Sequence, residues 1–414
     1  MSPNEPEYGF PATLWRAVER RRPPLPRFRS SVRGPRFTAW LGLVLLVGMP
    51  VVIVTGLLSY VAYGSAPIPG DVGFLRPPAF DWPTSPAWLY RVNQGTHVLL
   101  GLVLVPVVLA KLWSVVPKLV AWPPARSLTD ALERGTVLLL VGSLLFEIVT
   151  GVLNIQYDYV FGFSFYAAHY VGAWVFIGAF VAHVVLKLPH MVAGLRRRED
   201  PPDHDLVADD PLPPTISRRG ALTLVGGGAA LVGLLSVGQV LDGPLRGTAV
   251  LLPRGRTTAA GDGGPNDFPV NRTFVSTGIA AAATGAAWRL DVGGIRLDRA
   301  ALLAMDLHTA DLPISCVEGW STQQTWTGVR LRDLAALAGV PEPTSAVVRS
   351  LETGPFAQAE LHEGQVLHPD SLLALRVNGA DLSPDHGFPA RLIVPAIPGV
   401  RCTKWVRSVE FRSV

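Results

Sequence analysis

Two cysteines occur among 414 residues, Cys316 and Cys402. Cys316 ends the apolar stretch Asp311-Leu-Pro-Ile-Ser-Cys and is followed by Val-Glu-Gly-Trp-Ser321. No Cys-x-x-Cys pair stands near it, so neither a closed zinc site nor an iron–sulfur cluster can be completed there. A lone soft thiolate suits a redox metal held mainly by something other than protein, with Cys316 as its single protein bond. A buried structural cysteine, or a Cys316–Cys402 disulfide in an oxidising compartment, are the competing readings. A second group with chemistry to offer is the set of imidazoles His97, His169 and His183, each inside an apolar run. A charge in such a run costs about 3 kcal/mol on insertion scales, whereas a neutral imidazole is a ready metal ligand. Near the C-terminus Arg391 and Lys404 offer positive charge for an anion.

The C-terminal stretch reads Asp385-His-Gly-Phe-Pro-Ala-Arg-Leu-Ile-Val-Pro395 and then Arg401-Cys-Thr-Lys-Trp-Val406. Together with Cys-Val-Glu-Gly-Trp-Ser it closely resembles the oxidoreductase molybdopterin-binding family. That is the fold of sulfite oxidase and of the periplasmic methionine sulfoxide reductase catalytic subunit. The resemblance covers 262–414. It implies a molybdenum–molybdopterin cofactor with Cys316 as metal ligand and catalytic residue. The resemblance further implies that the cofactor is held by Asn266, by Pro269 and Val270 through their backbone, by Thr353, by His386 and Arg391, and by the run Cys402, Thr403 and Lys404. Sulfite oxidases have His where His386 stands and the sulfoxide reductases have Asn, so this position leaves the substrate open. Sulfite oxidases also follow their cysteine with an arginine-bearing stretch, and Val317-Glu-Gly-Trp-Ser321 stands here instead. That departure, and an end at Val414 without a further sandwich domain, favour the sulfoxide reductase branch.

The elements that must position these residues come in two kinds. With 49% hydrophobic and 16% charged residues, the composition points to a membrane protein with a soluble part. The net charge of +4 does not indicate nucleic acid, because the arginines crowd beside apolar runs. Residues 1–36 are rich in Pro and Arg without an apolar period and read as a disordered cytoplasmic tail, with no cleavable signal peptide. Apolar runs at 37–62, 92–116, 136–155 and 165–188 each suffice for a hydrocarbon core of about 30 Å. They predict a four-helix bundle over 37–195. An acidic, proline-broken linker at 196–216 and an anchor helix at 217–243 follow.

His97 and His169 fall at matching depth near the outer ends of the second and fourth runs, the placement that an axial bis-histidine haem b requires. The bundle resembles the membrane cytochrome b family. His183 lies fourteen residues beyond His169, about 21 Å along the helix, and is the candidate ligand of a second haem. Lys111 stands at its matching place, leaving three roles open: an unprotonated ligand, a phosphate or propionate contact, or snorkelling. Interhelical hydrogen bonding is the competing role for each histidine. Glu147, mid-span, is expected neutral or hydrogen-bonded.

Lys118, Arg126, Arg134, Lys187 and Arg196-Arg-Arg198 share the side of the tail, and the opposite loops carry Asp71, Asp81 and Asp158. The positive-inside rule therefore predicts a multi-pass cell-membrane protein with a cytoplasmic N-terminus and residues 244–414 extracytoplasmic. Ser217-Arg-Arg resembles a twin-arginine export signal retained as an anchor. Short alternating segments at 288–294, 346–353, 374–382, 391–395 and 403–411, with helices at 298–305 and 331–338, predict an α+β domain. The expected fold is multi-domain: an all-α transmembrane bundle of four helices plus a fifth anchor, then a sulfite-oxidase-like α+β domain. The expected function is a molybdenum oxidoreductase exchanging electrons through haem b with the quinone/quinol pool and acting on a methionine-sulfoxide-like small molecule. Oxidation of a sulfite-like substrate and a metal-free membrane binding module remain the alternatives.

Overall fold

The computed structural model describes residues 30, 32–64, 80–120, 127–156, 160–196, 207, 213–241, 243–252, 261–354 and 356–413. Most of the expected tail and acidic linker lie outside these residues, as do Asp71, Arg126, Asp158, Arg197 and Arg198 of the charge pattern.

Helices α1 (Pro35–Tyr63), α2 (Leu89–Leu119), α3 (Leu128–Asn154), α4 (Phe165–Arg196) and α5 (Arg218–Leu234) occupy the expected apolar runs. Among the described residues five helices are long and apolar enough to cross a membrane, the last reaching Gln239. They carry exposed apolar side chains such as Val47, Leu109, Val185 and Leu224. Such an outward face is favourable only where hydrocarbon replaces water.

The chain forms two compact units. One comprises Met1–Ile53, Gly101–Gly151 and Ala168–Val232. In it Phe37 and Leu41 of α1 pack on Val107 of α2, with Ala221, Leu222 and Val225 of α5 against them. The other comprises Val54–Leu100, Val152–Ala167 and Gly233–Val414. It contains β1 (Leu290–Val292), β2 (Ile295–Leu297), α6 (Arg299–Leu303), β3 (Leu307–Ser315), β4 (Ser321–Arg330), α7 (Leu331–Leu337), β5 (Ser345–Ser350), β6 (Gln358–His362), α8 (Glu363–Val366), β7 (Leu372–Val377), β8 (Ala380–Asp381), β9 (Arg391–Ile393) and β10 (Val406–Arg412). Two five-stranded sheets result, one in the order β2-β1-β10-β5-β6, the other β3-β4-β7-β8 with β9 on β7. Pairing is antiparallel except between β1 and β10.

Each strand expected from alternation is found. The interior strand β4 and the edge strands β2 and β6 were not expected; β6 is a short Gln-Ala-Glu-Leu-His stretch that buries only Ala359 and Leu361. Trp326, Leu331, Leu334, Leu372 and Val409 form the core, joined by Val61, Ala62, Trp82 and Tyr90 from the ends of α1 and α2 and the segment before α2. Each such burial contributes about 1.5–3 kcal/mol. Trp82 further donates Nε1 to Ala396 O at 2.6 Å, so its polar edge is satisfied inside the core.

Candidate functional site

β3 and β4 pair in register from Leu307 with Val329 to Ser315 with Ser321, so residues 316–320 form the hairpin tip. Cys316 N donates to Trp320 O at 2.8 Å, and Gly319 N to Cys316 O at 3.1 Å. Gly319 closes this turn at φ +93°, which other residues adopt only with strain. Cys316 is 2% exposed and Cys402 is also buried, and no disulfide joins them.

Pairing across the domain brings the C-terminal motif to this tip. Gly399 N donates to Ser315 O at 2.7 Å, Cys402 N to Gly399 O at 3.2 Å, and Leu392 N to Thr403 O at 2.8 Å. The thiol turn, Cys402, Thr403 and Arg391 are thus linked through successive main-chain bonds. His386 and Gly387 reach the same place through a turn in which Gly387 has φ +104°. A Cβ on Gly387 would lie 3.0 Å from Lys404 Cβ, so a bare glycine allows the approach.

The resulting pocket is basic. Arg391 is 3% exposed, donates Nη1 to His386 O at 3.3 Å and lies 5.5 Å from the Trp326 ring. Lys404 Nζ donates to Arg272 O at 2.8 Å and Asp385 O at 2.7 Å. Arg401 donates to Ala62 O at 3.0 Å and to Glu360 O. Among the described residues none of these three cations is in an ion pair. Burial pushes Arg391 and Arg401 down to about 10, opposed in both by Cys402 and, for Arg391, by Cys316. Burial and then Arg391 push Lys404 well below its ordinary value, with Asp385, Glu352 and Cys316 acting the other way. Burial, Arg391 and Lys404 together press His386 down to about 3, so its imidazole is neutral at physiological pH. Burial raises the Cys402 thiol, so Cys402 is protonated there. The Arg391 Nε and Thr403 Oγ1 are buried without a partner. Arg391 and Lys404, without ion pairs and next to unused donors, are costly unless an anion completes them. This donor set fits a phosphate-bearing cofactor beside the Cys316 thiol.

The other expected cofactor residues divide. Asn266 spends its side chain on the chain itself, Nδ2 on Asp381 O at 2.9 Å and Oδ1 on Ser383 N at 2.8 Å. Its carbonyl lies 2.9 Å from His386 Nε2. It therefore orients His386, whose ring stacks on Phe268. Pro269 is buried next to that stack, Val270 is half-buried, and Thr353 stands exposed in the loop after β5. Arg401 was missed by the sequence reading. Its signal is its place directly before Cys402, but an arginine in a loop gives no sign from sequence that it will be drawn inward.

The histidines of the helices sit in different units. In the first, His169 Nδ1 lies 2.9 Å from Glu147 Oε2 and 3.1 Å from Thr150 Oγ1. With the ring proton on Nδ1, facing these oxygens, the lone pair is left on Nε2, the form that binds a metal. Glu147, expected only to be neutral or hydrogen-bonded, thus acquires a specific partner. His183 Nδ1 is buried without a partner. Lys111 Nζ donates to Thr38 O at 2.7 Å, a main-chain contact outside the roles expected of it. In the second unit, His97 Nδ1 lies 3.5 Å from Thr55 Oγ1. Gly56 leaves room beside it, since a Cβ there would fall 2.8 Å from His97 Cε1.

A buried thiol at a hairpin tip beside cations without ion pairs suits a domain that holds a metal on an anionic cofactor. Residues 278–414 match the oxidoreductase molybdopterin binding domain. Asn266, Pro269 and Val270 precede the matched residues. The chain is 35% identical over 131 residues to the uncharacterized oxidoreductase YuiH of Bacillus subtilis (strain 168), covering 30% of this chain and 65% of that protein. It is 36% identical over 101 residues to an NADH nitrate reductase of Volvox carteri, 22% of this chain and 12% of the other. To a sulfite oxidase of Arabidopsis thaliana it is 33% identical over 112 residues, 22% of this chain and 28% of the other. The chain thus spans less than two thirds of each relative's length. Its C-terminal part is a molybdopterin-binding oxidoreductase domain, as the cysteine and arginine motifs lead one to expect.

Proposed function

We propose that this chain is a membrane-bound molybdenum-cofactor oxidoreductase that exchanges electrons through haem b with the quinone pool and transfers an oxygen atom from a sulfoxide-like substrate. The observation that carries this reading is the buried Cys316 thiol held at a turn beside cations that have no ion-pair partner. When bound, the molybdenum–pterin group supplies the two-electron chemistry and haem b the single-electron steps. Cys316 would hold the metal through Sγ. Arg391, Thr403 and Lys404 would hold the anionic end of the pterin, and the neutral His386, its Nε2 proton given to Asn266 O, would line the site without adding charge. Asn266 keeps His386 in place through its carbonyl, while Pro269, Val270, Thr353 and Cys402 would complete the surround. His97 and His169 would hold the haem iron, with His183 available to a second haem. The absence of arginines after Cys316 supports the sulfoxide side, because a small dianion lacks its obvious partners in that turn.

The charge pattern supports a cytoplasmic N-terminus, a bundle over 37–195, and an extracytoplasmic domain over 244–414 behind a twin-arginine-like anchor at 217–243. A reporter fused after Val414 would then be active only outside the cytoplasm, and exchanging Arg218 and Arg219 for lysine would block its export.

The deciding experiment is metal analysis and an optical spectrum of the purified full chain. About one molybdenum per chain is expected from a single thiolate ligand, with a b-type haem spectrum. Cys316→Ser should fold but lose redox activity, whereas Cys402→Ser should keep its metal. Equal turnover by Cys316→Ser rules out the ligand assignment, and a protein without molybdenum would be the metal-free binding module. The sulfite oxidase among the relatives favours a second reading, oxidation of a sulfite-like substrate with electrons passed inward. Assays with reduced and oxidised dyes separate the two directions.

A further inference from the structure

The turn that carries Cys316 is held from outside its own hairpin. Gln94, on α2, donates Nε2 to the carbonyl of Val317, the residue next to the thiol. The direction of that amide is itself fixed. Asn93 Nδ2 donates to Thr55 O at 2.9 Å and to Ser59 Oγ at 2.8 Å. The Ser59 hydroxyl in turn donates to Gln94 Oε1 at 2.6 Å, which turns Nε2 toward Val317. Asn93, Gln94 and Ser59 are 7%, 5% and 3% exposed, so water does not compete for these bonds. One helical turn beyond Gln94, on the same face, Val98 meets the tip again, since a Cβ on Gly319 would lie 2.9 Å from Val98 Cβ. All of these residues belong to one compact unit. His97 is carried by the same stretch of α2, three residues after Gln94.

We propose that Gln94, oriented by Ser59 and Asn93, is a positioning residue that fixes the Cys316 turn and with it the direction of the thiol. The role in metal geometry rests on reading Cys316 as the molybdenum ligand. The Val317 carbonyl belongs to the peptide that follows the ligand, so anchoring it limits rotation of the 316–320 turn. A change in that turn would move Sγ relative to the pterin without removing any group that holds the cofactor.

The test uses the full chain in detergent with its cofactors. Gln94→Met keeps the length of the side chain and removes its donor, and Ser59→Ala leaves Gln94 in place without its orienting partner. Both are expected to retain molybdenum and to shift the g values of the EPR signal of the one-electron-reduced metal, Gln94→Met by more. Unchanged spectra in both variants at wild-type molybdenum content overturn the proposal. Should Gln94→Met not fold, Ser59→Ala decides by the same criterion. Should the wild type hold no molybdenum, the functional reading fails instead, and hydrogen exchange at the amides of 316–320 decides the positioning role. Exchange faster by about tenfold or more in Ser59→Ala supports it, and unchanged exchange overturns it.

Discussion

The imidazole of His386 lies on the phenyl ring of Phe268, with centroids 3.6 Å apart and planes 20° from parallel. Held there, with Asn266 O at 2.9 Å from Nε2, it is 1% exposed. Its depression to about 3 has a consequence for stability. The unfolded chain protonates this histidine near pH 6.5, while the folded chain does not until about pH 3. Between those values the unfolded state binds more protons, so stability is lost as pH falls from about 6.5 and is unaffected by this group above it. The expected slope from His386 alone is up to about 1.4 kcal/mol per pH unit. Denaturant midpoints of the cofactor-free chain from pH 7 to pH 4 should fall, and His386→Gln should flatten the curve. An equally steep curve in His386→Gln would assign the acid sensitivity elsewhere.

Gly387→Ala tests the approach of the His386 turn to Lys404. The substitution meets both a φ of +104° and a neighbour at 3.0 Å. A cost of about 1–3 kcal/mol is expected from the backbone alone. The thermal midpoint should drop and pterin content should fall with it, since the turn carries His386 beside Arg391. Unchanged midpoint and cofactor content would show that the turn tolerates the change.

Arg391→Met separates stability from cofactor retention. Replacing a buried, unpaired cation with an apolar side chain of similar length removes the cost of keeping that charge out of water. The cofactor-free variant is therefore expected to be at least as stable as the parent. Cofactor content should nevertheless fall sharply, because the pocket loses its deepest positive charge. A variant that keeps full molybdopterin would show that the phosphate is held elsewhere.

Glu147 and His169 make a prediction in the helices. His97→Ala and His169→Ala should each remove the b-type spectrum, and His183→Ala should leave at least the haem held by the other two. Glu147→Gln should retain haem and raise its midpoint potential, because a carboxylate on Nδ1 makes the imidazole a stronger donor to oxidised iron. Loss of all haem in His183→Ala with an unchanged spectrum in His169→Ala would mean a different pairing. An unmoved potential in Glu147→Gln would mean that the 2.9 Å contact does not reach the iron.

Much of this protein was determined by its sequence. Apolar runs of sufficient length must become helices in hydrocarbon, because no other local structure satisfies every backbone amide there, and α1 to α5 follow. Alternation marked β1, β5, β7 and β10, and the cysteine and arginine motifs marked the domain later matched over residues 278–414. Tertiary structure alone decided the rest. Nothing local says that Val54–Leu100 packs into the unit of Gly233–Val414, because a helix end rich in Tyr and Trp reads equally well as an interfacial belt. The burial of Arg401, the use of Asn266 as a support for His386, the carboxylate on His169 and the reach of Gln94 to Val317 depend on partners tens to hundreds of residues away. Hydrogen bonds of that kind are specified by where two surfaces meet, and a linear pattern records only which side chains are available to make them.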